Sequence, residues 1–183
     1  MRTLLLFLMI SSLSFSQEIL ISENFSEGLP EDWTVETTNS QRNWMFKNFR
    51  DFNYMQMSAF GGRGKPGYKV KASLYTPLLE ISDKECKLKF SFADAYKNGQ
   101  PLYVSITNAE KKPIKNLSPK DWESLVNNDG KYDNNEESTP WISLPKIQQP
   151  YHISFIYDSQ KGGKKSKPST TIIQLSEVDV WCE

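Results

Sequence analysis

Acidic residues crowd the end of this chain, in Glu177-Val178-Asp179-Val180-Trp181-Cys182-Glu183. Two acids on one strand could share the work of glycoside hydrolysis, one as acid and one as nucleophile, if their carboxyls stood about 5–5.5 Å apart. Glu177 and Asp179 share a face, because alternate strand residues point the same way, roughly 6.5–7 Å apart at ~3.3 Å per residue. The position four beyond Glu177 is Trp181, and the next glutamate lies six residues on. A row in which Lys89 faces Asp179 and Lys87 faces Trp181 across an ordinary solvated strand surface explains the pattern better. The single histidine, His152, stands beside Ser154. A serine or cysteine hydrolase needs a base within reach of its nucleophile and a third group to orient that base. No glycine-flanked nucleophile pattern occurs, so no catalytic residue is assigned.

Metal chemistry fares no better. Asn127, Asp129, Gly130, Asp133 and Glu136 fall at positions 3, 5, 6, 9 and 12 of a calcium-loop pattern, but its first ligand position holds Leu125. No flanking helices are evident, and the stretch reads as a solvated acidic loop. Lys161, Lys164, Lys165 and Lys167 form a basic loop that solvation also explains. No cofactor and no metal-ligand set is assigned. What remains is aromatic recognition. The chain has five Trp, eight Tyr and ten Phe. Trp122, Trp141, Trp181, Tyr54, Tyr68 and Tyr132 could stack on sugar rings.

The ends and the composition bound the class. Arg2, the apolar run of residues 4–10 and the small residues Ser14 and Ser16 read as a signal peptide over residues 1–16. That run is too short to span a bilayer, which needs about 20 residues. Residues 17–183 fit a single domain. Acidic and basic residues cancel at 22 each, leaving no field to draw nucleic acid or an anionic membrane. Two cysteines in an exported chain point to a disulfide rather than a redox or zinc site. Cys86 opens one alternating run and Cys182 closes another, which is where antiparallel neighbours meet, so Cys86 and Cys182 are expected to pair.

The elements that would position these groups are strands. Cys86, Leu88, Phe90 and Phe92 alternate with Lys87, Lys89 and Ser91, a period of two that marks a half-buried strand. Tyr151, Ile153, Phe155 and Tyr157 form a second such face, and Leu102, Val104 and Ile106 a third. Ile19, Ile21 and Phe25 share a face, on whose parity Glu23 also falls and so needs a partner. Pro77 within residues 71–81 implies an edge or bulged strand. Asn98-Gly99 signals a hairpin turn. The last strand changes apolar parity from Ile173 and Leu175 to Val178 and Val180, which requires an extra residue near Ser176. About nine or ten short strands without a helix predict an all-β fold, a jelly-roll β-sandwich of two antiparallel sheets.

The order of motifs resembles that of the choice-of-anchor J and cleaved-adhesin type jelly rolls, which are similar in fold to MAM and lectin-like domains. It runs from Glu23-Asn24-Phe25, Leu29-Pro30 and Trp33-Thr34 through Trp44, Ser58-Ala59 and Leu74-Tyr75-Thr76-Pro77. The strands at residues 88–92, 104–107, 153–157 and 175–180 complete it. The resemblance implies a non-catalytic module of an exported or surface protein, extracellular, on the cell surface or periplasmic. Its partners would be an extracellular glycan or a surface protein, with no nucleic acid and no membrane insertion. Some such domains hold calcium; here Ser176 and Glu177 stand where their closing motif carries paired acids. The alternatives are a divergent jelly-roll glycosidase and a structural protein-binding subunit. Laminarinase-type enzymes carry Glu-x-Asp-x-Glu, or a bulged form with one more residue, and Trp181 breaks that spacing.

Overall fold

Strict alternation over residues 86–92 needs a partner long enough to cover it, and the last run, which Cys182 closes as Cys86 opens this one, is such a partner. In the computed structural model, which describes residues 18–81, 83–96, 98–118, 120, 122, 136–162 and 167–183, those two runs pair along their whole length. The strands are β1 (Glu18–Glu23), β2 (Thr34–Thr37), β3 (Met45–Phe49), β4 (Phe52–Ser58), β5 (Lys71–Tyr75) and β6 (Cys86–Ala95). They continue with β7 (Leu102–Asn108), β8 (Pro113–Asn116), β9 (Glu137–Ser138), β10 (Ile142–Ser143), β11 (Tyr151–Asp158) and β12 (Ile172–Cys182), with one helical turn, α1 (Ser159–Gly162), after β11.

The strands form a β-sandwich of two antiparallel sheets, of jelly-roll type. One sheet runs β10-β6-β12-β4-β3, with β1 also on β12 and β9 also on β6; the other runs β2-β5-β11-β7-β8. Their inner faces meet where Phe90 of β6 packs edge-on against Phe155 of β11, ring centroids 5.2 Å apart. Leu88, Phe90, Phe92, Val178 and Val180 are buried from one sheet, and Leu102, Val104, Ile106, Ile153 and Phe155 from the other. Trp33 and Trp44 are core residues, and the Trp44 indole N–H donates to the Ala72 carbonyl.

Between Leu175 and Glu177 the register of β12 against β6 slips by one residue, so Ser176 is the extra residue of a bulge. Cys86 and Cys182 are opposite each other and joined by a disulfide, Cα atoms 4.1 Å apart. Glu23 has its partner too, because its carboxylate accepts the Phe25 N–H and so holds the left-handed turn at Phe25 (φ 55°).

Three local expectations are corrected. Ile19 does not share the buried face of Ile21 and Phe25: a register shift between Ile19 and Ile21 turns it outward. Pro77 does not make β5 an edge strand, since β5 lies between β2 and β11. The strand simply stops at Tyr75, and pairing resumes past the proline as a single bridge from Leu79 to Tyr151. Asn98-Gly99 is not a hairpin turn, because β6 and β7 lie in different sheets. The Asn98 side chain instead ties this crossing to the approach to β12, its carbonyl oxygen accepting the Thr170 N–H at 2.7 Å and the Ser169 hydroxyl at 2.9 Å. The polar stretch after residue 111 holds a strand, β8, hairpinned to β7 despite Pro113. The leader expected over residues 1–16 lies outside the described residues.

Tyr157 links loops at one end of the sandwich. Its hydroxyl accepts the Ala59 N–H at 3.2 Å and donates to the Thr171 carbonyl at 2.8 Å. Burial pushes this phenol up to about 12, and burial does the same to Tyr151. The fold favours the protonated phenols, so their contribution is whole below pH 10 and is lost as pH rises from 10.0 towards about 12. A pH titration of the urea midpoint should show that fall, and Tyr157→Phe should make it shallower. The disulfide spans 96 residues. Replacing both cysteines by alanine should lower unfolding free energy by about 2–4 kcal/mol, measured by denaturant melts.

Candidate ligand-binding face

The bulge decides what the end of β12 shows to solvent. Beyond it Val178, Val180 and Cys182 point inward, so Glu177, Asp179 and Trp181 point outward. Across the sheet at that level, Trp181 has Ile19 of β1 on one side and Lys87 of β6 on the other. The next strand, β10, is anchored through the Leu144 N–H to the Cys86 carbonyl, and Thr139 is tied to Phe90 by two hydrogen bonds. Ile142 is buried between these anchors, so Trp141 before it faces out.

The result is a pair of indoles. Trp141 and Trp181 have centroids 5.4 Å apart and planes inclined at 50°, and Trp141 is 42% exposed. They line a cleft with Glu85, Lys87, Cys182 and Glu183. Ile19, 58% exposed, continues the apolar surface on the other side of Trp181. Polar groups frame it. Lys87 pairs with Glu183 at 3.3 Å, and Lys146 with Glu85 at 3.1 Å. Lys89 stands opposite Asp179 in the register, and its ammonium lies 6.0 Å from the centre of the Trp141 ring.

The acids of β12 are spread along this face in separate partnerships. Glu177 accepts the Ser91 hydroxyl at 3.0 Å, and Ser91 also bonds Ser138 at 2.7 Å. Ser176 donates to the Ser91 carbonyl at 3.1 Å and meets Glu136. Glu136 is the one member of the acidic-loop pattern within the described residues. Among the described residues, no three or more histidine, cysteine or acidic side chains come together around a metal position.

His152 is placed on the outer face of the other sheet. Its Nδ1 lies 2.7 Å from the Thr76 carbonyl, an acceptor only, so Nδ1 carries the proton. Ser154 beside it donates to the Ser105 carbonyl and is buried. The tyrosines of this face are covered by cations. Lys111 lies over Tyr75 at 4.8 Å while pairing with Glu36, and Lys161 lies over Tyr103 at 4.9 Å. Burial raises both phenols above their ordinary value; nearby Glu36 adds to the rise at Tyr75, and Asp158 at Tyr103.

The structure thus sorts the candidate aromatics. Trp122 is fully buried against Phe90, and Tyr54 is buried. Tyr68 lies under the Arg42 guanidinium, 4.5 Å from its centre. Tyr132, Lys164 and Lys165 lie outside the described residues. Among the described residues, Trp141 and Trp181 are the two of these aromatics that come together. Ile19 and Lys87 join them, although the alternation of β1 assigns Ile19 to the buried face of Ile21 and Phe25.

No protein-family model matches the chain, and no curated protein matches it in sequence. Solved structures do share the fold. The K3 cleaved adhesin domain of Lys-gingipain from Porphyromonas gingivalis W83 superposes with a TM-score of 0.59 at 13% identity, covering 91% of this chain and 99% of that one. The K1 cleaved adhesin domain of the same protein gives 0.55 at 15% identity, covering 90% and 97%. TmCBM61, solved in complex with β-1,4-galactotriose, gives 0.52 at 8% identity, covering 87% and 94%. The cleaved-adhesin likeness read from the motif order therefore holds at the level of the fold.

The exposure of the indole pair has a direct optical consequence. Acrylamide should quench a distinct fraction of the tryptophan emission, and Trp141→Phe with Trp181→Phe should abolish that fraction. The remaining emission, from Trp33, Trp44 and Trp122, should be poorly quenched.

Proposed function

We propose that this chain is a non-catalytic, carbohydrate-binding module of an exported protein, of the choice-of-anchor J kind, that takes its ligand on the outer face of the seven-stranded sheet. The observation that carries the reading is the open Trp141–Trp181 pair framed by hydrogen-bonding side chains. An indole face buries the C–H face of a sugar ring, and flanking polar groups orient its hydroxyls. The paired cysteines suit an oxidising compartment. The jelly-roll likeness to adhesin domains and to a galactotriose-bound module supports the same reading by analogy of fold.

The hydrolase alternative draws no support from the acids, since Glu177 is held by Ser91 and Glu183 by Lys87. One observation favours protein adhesion instead. Strand β3 ends its sheet and is exposed throughout, with Met45, Phe46 and Phe49 at 43%, 39% and 46%. Exposed apolar edge strands are places where another chain can add.

Affinity electrophoresis of the mature protein through gels loaded with a panel of polysaccharides separates these readings. Retardation by one class is expected, unaltered by Glu177→Gln. No retardation by any polymer would remove the carbohydrate reading and move the search to surface proteins and β3. The reading assigns no bound calcium, so EDTA should leave the melting midpoint unchanged; a fall would reveal a structural cation.

A further inference from the structure

Resting on the carbohydrate reading above, we infer that the ligand of the Trp141–Trp181 face is a neutral polysaccharide, gripped through two or more adjacent sugar units laid across the strands. The first ground is the shape of the apolar surface. Ile19 on β1, Trp181 on β12 and Trp141 beside β10 follow one another across the sheet rather than along a strand. Ile19 lies one strand spacing, ~4.8 Å, from Trp181, and the Trp141 ring stands 5.4 Å beyond the Trp181 ring. One pyranose ring cannot cover that strip. The indoles are 5.4 Å apart and inclined at 50°, so they offer two separate ring-sized faces turned relative to each other. Consecutive units of a twisted glycan chain present their apolar faces in that manner.

The second ground is charge. Three lysines border the strip, Lys87, Lys89 and Lys146, and three acids accompany them: Glu183, Asp179 and Glu85. Two are direct ion pairs, and the third is a cross-strand neighbour. The border therefore has no net sign. A uronate or sulfate arriving here would meet a carboxylate beside every ammonium. A hydroxyl both donates and accepts, so neighbouring hydroxyls fit an ammonium and a carboxylate held side by side. Exposed ion pairs are worth little, and opening one to admit hydroxyls costs correspondingly little.

The test is titration calorimetry of the mature protein with neutral β-linked galactan, mannan and glucan, and with pectate and alginate, at low and high salt. Oligosaccharides of the bound type, from one unit upward, follow. A neutral polymer should bind with affinity changing less than about two-fold with salt. Trp141→Ala and Trp181→Ala should each weaken it by about ten-fold. Trp141→Phe and Trp181→Phe should recover part of the loss, and each variant should keep its melting midpoint. A single sugar should bind more than about ten-fold more weakly than a trisaccharide. Binding of an acidic polymer only, falling steeply with salt but lost in the tryptophan variants, would overturn the neutral-ligand inference and leave the carbohydrate face standing. Equal affinity for mono- and trisaccharide would overturn the multi-unit part. Binding to no polymer, or binding indifferent to both tryptophans, would overturn the carbohydrate reading itself.

Discussion

Everything on the seven-stranded sheet hangs on the pairing of β6 with β12. Its ten matched positions run from Ala95 opposite Ile172 to Cys86 opposite Cys182. The first part of β12 takes β4 on its other side and the last part takes β1, and the bulge at Ser176 sits where one neighbour gives way to the other. Strand parity is unforgiving: a one-residue slip turns every later side chain to the opposite face. Without the extra residue Val178, Val180 and Cys182 would face solvent and Trp181 would face the core. The inward cysteine that meets Cys86 and the outward indole that meets Trp141 are therefore two results of the same insertion.

Much of this was legible in the residues themselves. The β6 and β11 faces stand out by alternation, and the bulge announces itself as a change of apolar parity within one run. Both cysteines could be paired from strand ends alone. What escaped were elements whose partners decide them. β2, Thr-Val-Glu-Thr, and β8, Pro-Ile-Lys-Asn, are short and polar, and they are strands because β5 and β7 offer them edges. Asn98-Gly99 has the chemistry of a tight turn, yet the chain there changes sheets and the amide is used to hold Ser169 and Thr170. Local chemistry cannot tell a turn within a sheet from a crossing between sheets.

The face followed the same logic. Trp122 and Trp141 look alike as letters; one is buried against Phe90 and the other exposed beside Trp181. The difference is set by which neighbours point inward, Ile142 in the case of Trp141. The opposite sheet also carries aromatics on its outer face, but Lys111 and Lys161 already occupy the Tyr75 and Tyr103 rings. A ring under a cation has a partner; among the described residues the inclined indoles stack on each other, with Lys89 6.0 Å from the centre of the Trp141 ring. The fold alone does not choose between these faces, because sandwiches of this type host many functions. The side chains do.

The register that places Glu18 opposite Cys182 brings the beginning of β1 beside the end of β12. Both strand ends thus leave the sandwich at one pole, and Trp181 is adjacent to that exit. A bulky tag fused directly after Glu183, two residues beyond Trp181, would stand next to the indoles and act as a lid over them. An immobilised protein tethered through that pole would turn the same face toward its support. Attachment through a side chain on the opposite sheet, such as a cysteine introduced in the β7–β8 hairpin, would leave the face toward the solution.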